Sequence, residues 1–289
     1  MSSKTTNQRT FLDPIHGPIR VNLLDKTEKL IAEIVDSKEF QRLKRIHQMG
    51  LGWFTFHGAE HTRFGHSLGA MQIAKRMIIH LSKSYPGVRK FKKEILIAAL
   101  IHDIGHGPFS HTSEKPTGFN HEDWTKRIIL GKSEINSILK KYDSKLPRKI
   151  IEIFNYKPYK WIGQIVSSYV DCDRLDYLHR DSYYVGVPYG LTGSDRIIAS
   201  LEIDKGSKRL VINENIGLDA VIHYLHARYS MYQQVYQHKK NLACDFLLRK
   251  VIERAKKVKP NNISKPLSDW LNFENKPMGF FFLHPWNRI

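Results

Sequence analysis

The stretch Ile95-Leu96-Ile97-Ala98-Ala99-Leu100-Ile101-His102-Asp103-Ile104-Gly105-His106-Gly107-Pro108-Phe109-Ser110-His111 bears on both fold and chemistry. Its first seven residues are apolar on every side, which suits a buried strand or a buried helix. The preceding Lys92-Lys93-Glu94 and the pair Ala98-Ala99 favour helix, because these side chains lose little freedom there. Gly105 and Gly107 then end it. Adjacent helical residues point about 100° apart, so His102 and Asp103 can share one ion only where the helix terminates. An isolated His-Asp pair is usually a surface or capping feature. Three histidines and an aspartate at a glycine-marked helix end form a stronger signal.

Outward from this stretch the reading stays helical. Leu68, Met71, Ala74, Met77, Ile78 and Leu81 predict a helix over 67–82. Residues 160–182 and 216–257 predict two more long helices. A strand pair is predicted near 200–213, where Lys205-Gly206-Ser207 separates Ile203 from Leu210-Val211-Ile212. The first 60 residues and roughly the last 30 show weaker periodicity. Asn261-Asn262, with Pro260 and Pro266, predict a loop. The expected class is all-α, a helical core with a small β-hairpin. The expected division is a core over 1–250 and a short basic C-terminal extension over 251–289.

The 289 residues are 41% hydrophobic and 26% charged, ordinary for a soluble globular chain. No run reaches the roughly 18–20 apolar residues of a membrane span, and the polar N-terminus lacks a signal peptide's apolar stretch. The two cysteines, Cys172 and Cys244, do not suggest a disulfide framework, so a cytoplasmic home is expected. A net charge of +18 favours polyanionic partners, nucleotides or nucleic acid.

Seven of the fifteen histidines fall between His61 and His121. Histidine serves both as metal ligand and as acid or base near neutral pH. His66, His102, Asp103 and the distant Asp173 together make a mixed nitrogen and oxygen donor set, suited to Fe, Mn, Zn or Mg. Asp173, Tyr177 and Asp181 follow an i, i+4, i+8 stripe. A solvated face would explain that stripe, but the apolar residues before it (Ile162, Ile165, Val166, Val170) place the helix inside. Buried carboxylates need partners, and a metal or ligand supplies one. A second stripe, Arg228, Tyr232, Tyr236 and Lys239 or Lys240, suits phosphate and base contacts as well as an exposed face.

A histidine, a His-Asp pair and a later aspartate are the signature of HD-domain metal phosphohydrolases. The segments Asp13 to Gly17, Phe40 to Ile46, His61 to Gly69, His102 to His111, Asp173 to Asp181 and Tyr236 to Lys239 resemble deoxynucleoside triphosphate (dNTP) triphosphohydrolases of the SAM-and-HD type and their bacterial relatives. The resemblance spans roughly residues 9–245. It implies hydrolysis of a dNTP to deoxynucleoside and inorganic triphosphate, with water attacking the α-phosphorus. It implies His66, His102, Asp103 and Asp173 as ligands to one or two ions, His111 as the acid on the leaving oxygen, and His106, His121 and Glu114 in support. Arg63, Arg174, Tyr177 and Lys239 match phosphate contacts, and Gln48 and Asp181 match contacts to the sugar 3′-hydroxyl. Tyr236 and Gln237 line sugar and base. Arg228 and Tyr232 complete the substrate set, although Tyr232 stands where relatives have histidine and Arg174 where they usually have lysine. Arg9, Asp36, Gln41 and Lys44 resemble part of a guanine-nucleotide activator site. The resemblance also implies a dimer or tetramer, and the expected departures from the family are the lack of a SAM domain before the core and a shortened C-terminal lobe. Two other readings compete: a nuclease or phosphodiesterase acting on single-stranded nucleic acid, and a non-catalytic nucleic-acid-binding module.

Overall fold

The apolar run is a helix at the centre of the molecule: Ile95 through Ile101 are each at most 1% exposed. The computed structural model describes residues 7–118, 120–259 and 263–271. In chain order, strands β1 (Gln8–Asp13) and β2 (Gly17–Asn22) precede helices α1 (Lys26–Asp36), α2 (Lys38–Gln41), α3 (Arg63–Ser84), α4 (Lys92–Ile101), α5 (His111–Thr117), α6 (His121–Leu130), α7 (Glu134–Tyr142), α8 (Leu146–Phe154), α9 (Lys160–Val166), α10 (Cys172–Val185) and α11 (Ser194–Ala199). Strands β3 (Leu201–Asp204) and β4 (Arg209–Ile212) come next, then α12 (Glu214–Met231), a π-turn (Tyr232–Tyr236), α13 (Lys239–Val258) and α14 (Lys265–Leu271). Helix α4 packs on α3, α8 and α9, and α3 packs on α10. The apolar core thus holds together the three segments that carry the histidine and aspartate motifs.

The mainly helical class holds, with two antiparallel two-stranded sheets among the described residues rather than one hairpin. The predicted pair at 200–213 is β3–β4, with Leu201 opposite Ile212. The additional pair, β1–β2, lies in the weakly periodic N-terminus, with Gln8 opposite Asn22. Only its inner face is covered, by Ile19 and Val21, so too few apolar residues alternate to stand out in sequence.

Two predicted long helices are corrected. The segment 160–182 breaks after Val166, and Asp171 caps the new helix by accepting from the Arg174 and Ser168 amides (2.7 and 2.6 Å). The segment 216–257 is interrupted by the π-turn, and His238 caps α13. Helix α13 runs through residue 250 without a break. Of the predicted loop, Pro260 to Asn262 lie outside the described residues, whereas Pro266 is the second residue of α14, a helix start where proline is tolerated. No helix among the described residues is long and apolar enough to cross a membrane.

Candidate metal centre and cavity

His66 sits in the first turns of α3, Asp173 in the first turn of α10, and His102–Asp103 immediately past the end of α4. The helix ends at Ile101, before the glycines, and that termination lets two adjacent side chains face one point. His66 Nε2 lies 3.2 Å from His102 Nε2, 3.1 Å from Asp173 Oδ1 and 3.6 Å from Asp103 Oδ2. His102 Nε2 lies 3.4 Å from Asp103 Oδ1 and 3.5 Å from Asp173 Oδ1. Donors bound at about 2.1 Å to one ion stand about 3.0–3.5 Å apart, so these spacings suit a shared cation.

Proton placement makes the same demand. His102 Nδ1 donates to the Ala99 carbonyl at 2.8 Å, and a carbonyl can only accept. His66 Nδ1 donates to Asp176 Oδ2, also at 2.8 Å. In the neutral form, each ring therefore aims an Nε2 lone pair at the other. A cation between them converts that repulsion into ligation. Burial alone would lower the His66 pKa, but hydrogen bonds to Asp173 and Asp176 overcome it and hold it up to about 10. For His102 burial is likewise outweighed, by Asp103 and then Asp173, and its pKa is raised. The carboxylates are held ionised despite burial: Asp103 chiefly by Arg63, Asp173 by His102 and His66. The surroundings favour positive charge at this point, and the donor set fits a divalent ion.

Behind His66 lies a charged network that the sequence reading did not assign. Asp176 accepts from His66, from His16 Nε2 (2.6 Å) and from Arg180 Nε and Nη2 (2.8 and 2.9 Å). Arg180 continues to Asp13 at 2.8 and 3.2 Å. Asp176 and Arg180 are almost fully buried, yet each is paired. Gly69 makes room for them, since a methyl group there would overlap Asp176 Oδ1. The i, i+4 pair Asp176/Arg180 and the motif Asp13 to Gly17 were the available signals.

A cavity of about 790 Å³ opens beside the four residues. Of the predicted substrate residues, Gln48, Arg63, Arg174, Tyr177, Asp181, Tyr232 and Tyr236 line it; Arg228, Gln237 and Lys239 do not. Arg63, expected as a phosphate contact, is buried and already donates to Asp103 and to Ser110. Arg174 donates to Asp171. Asp181 is satisfied on both oxygens, by His61 Nε2 (2.7 Å) and the Tyr236 hydroxyl (2.8 Å). Tyr236 is the last residue of the π-turn. Gln48 Oε1 is buried without a hydrogen-bond partner. Arg228 instead lies over the Tyr232 ring, 5.3 Å from its centroid. Lys126, Asn241 and Asp245 also line the cavity, and as single polar residues on helices without a motif around them they carried no signal.

The remaining histidines gather at the other side of Asp103. His106 Nε2 lies 3.4 Å from Asp103 Oδ1, and His106 stacks on His121 with centroids 3.9 Å apart. Glu114 Oε1 takes His121 Nδ1 at 2.7 Å and His111 Nδ1 at 3.3 Å. Burial would raise the Glu114 pKa, but these two histidines hold it well below the usual carboxylate range. Burial and then Arg63 hold His106 neutral. Gly105 lets α6 approach, since a methyl group there would overlap the His121 carbonyl.

The four residues likened to an activator site do not line either described cavity. Arg9 Nη1 donates to both oxygens of the exposed Asp36, at 2.7 and 2.6 Å. The Gln41 amide donates to the Val35 carbonyl at 2.6 Å, and Lys44 lies over the Phe64 ring.

Residues 63–181 match the HD domain family model. The chain is 41% identical over 260 residues to the uncharacterized protein YwfO of Bacillus subtilis, covering 89% of this chain and 58% of that one. It is 31% identical to a deoxynucleoside triphosphate triphosphohydrolase SAMHD1 homolog of Dictyostelium discoideum, covering 85% of this chain and 49% of the relative. The crystal structure of a phosphohydrolase from Bacteroides thetaiotaomicron superposes with a TM-score of 0.82 at 34% identity, covering 96% of this chain and 70% of that one. The chain thus spans about half to three-fifths of the length of these two curated relatives.

Proposed function

The chain belongs to the HD-domain phosphohydrolase family, and from that premise we propose that it hydrolyses dNTPs to deoxynucleoside and inorganic triphosphate. One observation carries the reading. A metal-ready donor set, a carboxylate-backed histidine and a tyrosine-walled pocket open into the same 790 Å³ cavity, a volume suited to one nucleotide.

His66, His102, Asp103 and Asp173 would hold the divalent ion, which would be Fe, Mn, Zn or Mg. When bound, it supplies Lewis acidity and water activation at the α-phosphate. The chain's own residues do the rest. Arg63 fixes Asp103 and brings positive charge to the cavity wall. Arg174 and Tyr177 face the triphosphate. Gln48 Oε1, lacking a partner, accepts from the sugar 3′-hydroxyl. The Tyr236 ring, anchored on Asp181, closes the space that a 2′-hydroxyl would need. His111 is 66% exposed in its side chain, and Glu114 takes its Nδ1. That leaves Nε2–H to protonate the departing 5′-oxygen.

Product analysis tests this. With purified protein, divalent metal and each dNTP, deoxynucleoside and triphosphate should appear in equal amounts. Release of orthophosphate or pyrophosphate instead would overturn the reading.

A further inference from the structure

Beside the proposed acid, four side chains hold a geometry that proton donation does not explain. His106, His111, Glu114 and His121 each bring a donor atom to one place, all within 4.8 Å of one another. The common point is a single oxygen, Glu114 Oε1. His121 Nδ1 stands 2.7 Å from it, His111 Nδ1 3.3 Å and His106 Nδ1 3.9 Å. An ordinary hydrogen bond accounts for the first distance but not the third. His106 is 1% exposed, and its Nε2 faces Asp103 Oδ1 as donor. The neutral tautomer with Nε2 as donor has its lone pair on Nδ1, and that buried atom has no hydrogen-bond partner. A buried, unpartnered nitrogen 3.9 Å from a carboxylate oxygen sets two acceptors side by side. Such a pair calls for a cation between them.

We propose that His106, His111, Glu114 and His121 form a second cation centre for a zinc-class transition ion, and that filling it inhibits the enzyme by capturing His111. Three imidazole nitrogens and one carboxylate suit zinc or cobalt and disfavour magnesium and calcium, which prefer all-oxygen shells. Tetrahedral zinc with bonds of about 2.0–2.1 Å spaces its donors about 3.3–3.4 Å apart. The distances to Glu114 Oε1 bracket that spacing: His111 at 3.3 Å already meets it, and a small shift of the Glu114 carboxylate from His121 toward His106 brings the other two to it. The centre uses the Nδ1 side of His106, away from Asp103, so it is separate from the His66–Asp173 site. Its inhibitory consequence rests on the proposed reaction. An ion on His111 Nδ1 replaces the Glu114 contact and withdraws the imidazolium that would protonate the leaving oxygen.

The test counts metal as well as activity. Metal-free full-length protein is titrated with Co(II), followed by visible absorption, and with Zn(II), followed by elemental analysis after gel filtration. Wild type should bind two ions per chain. Glu114→Ala/His121→Ala should bind one and lose the tetrahedral cobalt band. His66→Ala should bind one and keep that band. His121→Gln, which preserves shape, serves where circular dichroism shows the double variant unfolded, and it should lose at least tenfold in affinity for the second ion. One ion in wild type, or two retained in the folded Glu114 variant, would overturn the centre. Zinc beyond the first equivalent should slow wild-type dNTP hydrolysis at least tenfold, reversibly with a chelating buffer. Unchanged rates with two zinc ions bound would overturn the inhibition. A protein that binds two ions but hydrolyses no dNTP keeps the centre and removes the proposed activity together with its inhibition.

Discussion

The two histidine groups sit on either side of Asp103 and are built differently. His66 is fully buried on a 22-residue helix and backed by Asp176, Arg180, Asp13 and His16, each ion paired. The second group hangs on one carboxylate, Glu114, in a seven-residue helix, and its outermost member, His111, is 66% exposed. Backing of the first kind fixes ring orientation and tautomer before a ligand arrives. The second kind leaves one ring free to meet a substrate. In the proposed reaction the first group holds an ion and gains from preorganisation, whereas His111 has to reach a leaving group, and one turn of chain, Asp103 to His106, separates the two.

The most damaging test removes the hinge between the groups. Asp103→Ala deletes a ligand and the partner of Arg63, and the rate of triphosphate release should fall about a thousandfold or more, with circular dichroism unchanged. Substantial turnover would show that the first group is not the reacting centre. His111→Ala should lower kcat by about 10²–10⁴-fold while leaving the metal content of the His66 site intact. Equal loss of that metal would erase the distinction between the groups.

Asp176→Asn keeps the shape behind His66 but removes its charge, so metal affinity should fall about 10–100-fold by competition with a chelator. Unchanged affinity would mean that the backing network serves folding alone. Gly105→Ala pushes α6 off the turn after His102 and should cost about 1–3 kcal/mol in urea unfolding, with His121 displaced. Tyr236→Phe, which loses one hydrogen bond to Asp181, should cost about 1 kcal/mol and weaken discrimination of dNTP from ribonucleotide only slightly, because the ring remains.

Much of the first group was legible in sequence because it depends on residue type and helix termination. The apolar run before His102 had to be buried, and a His-Asp pair at its end had to project from it. The i, i+4, i+8 stripe of Asp173, Tyr177 and Asp181 likewise follows from helix geometry, and all three line the cavity. The network behind His66 was less legible. Asp176 looks like any polar residue of α10 until α3 packs against it and Gly69 admits its carboxylate. The π-turn was missed for a related reason, since Tyr232 and Tyr236 fit an uninterrupted helix. The resemblance assigns Arg63 to phosphate, whereas in the fold it already donates to Asp103 and Ser110.

By itself, then, the sequence determined the helical class, the central buried helix and the identity of the residues that could hold an ion. These follow from periodicity, propensity and donor chemistry, which are local properties. Only the tertiary structure decided which donors meet, which charges are already paired, and which lone pairs are left facing one another. Those depend on approaches between segments as distant as His16 and Asp176, 160 residues apart, and a distance across the fold has no local signature.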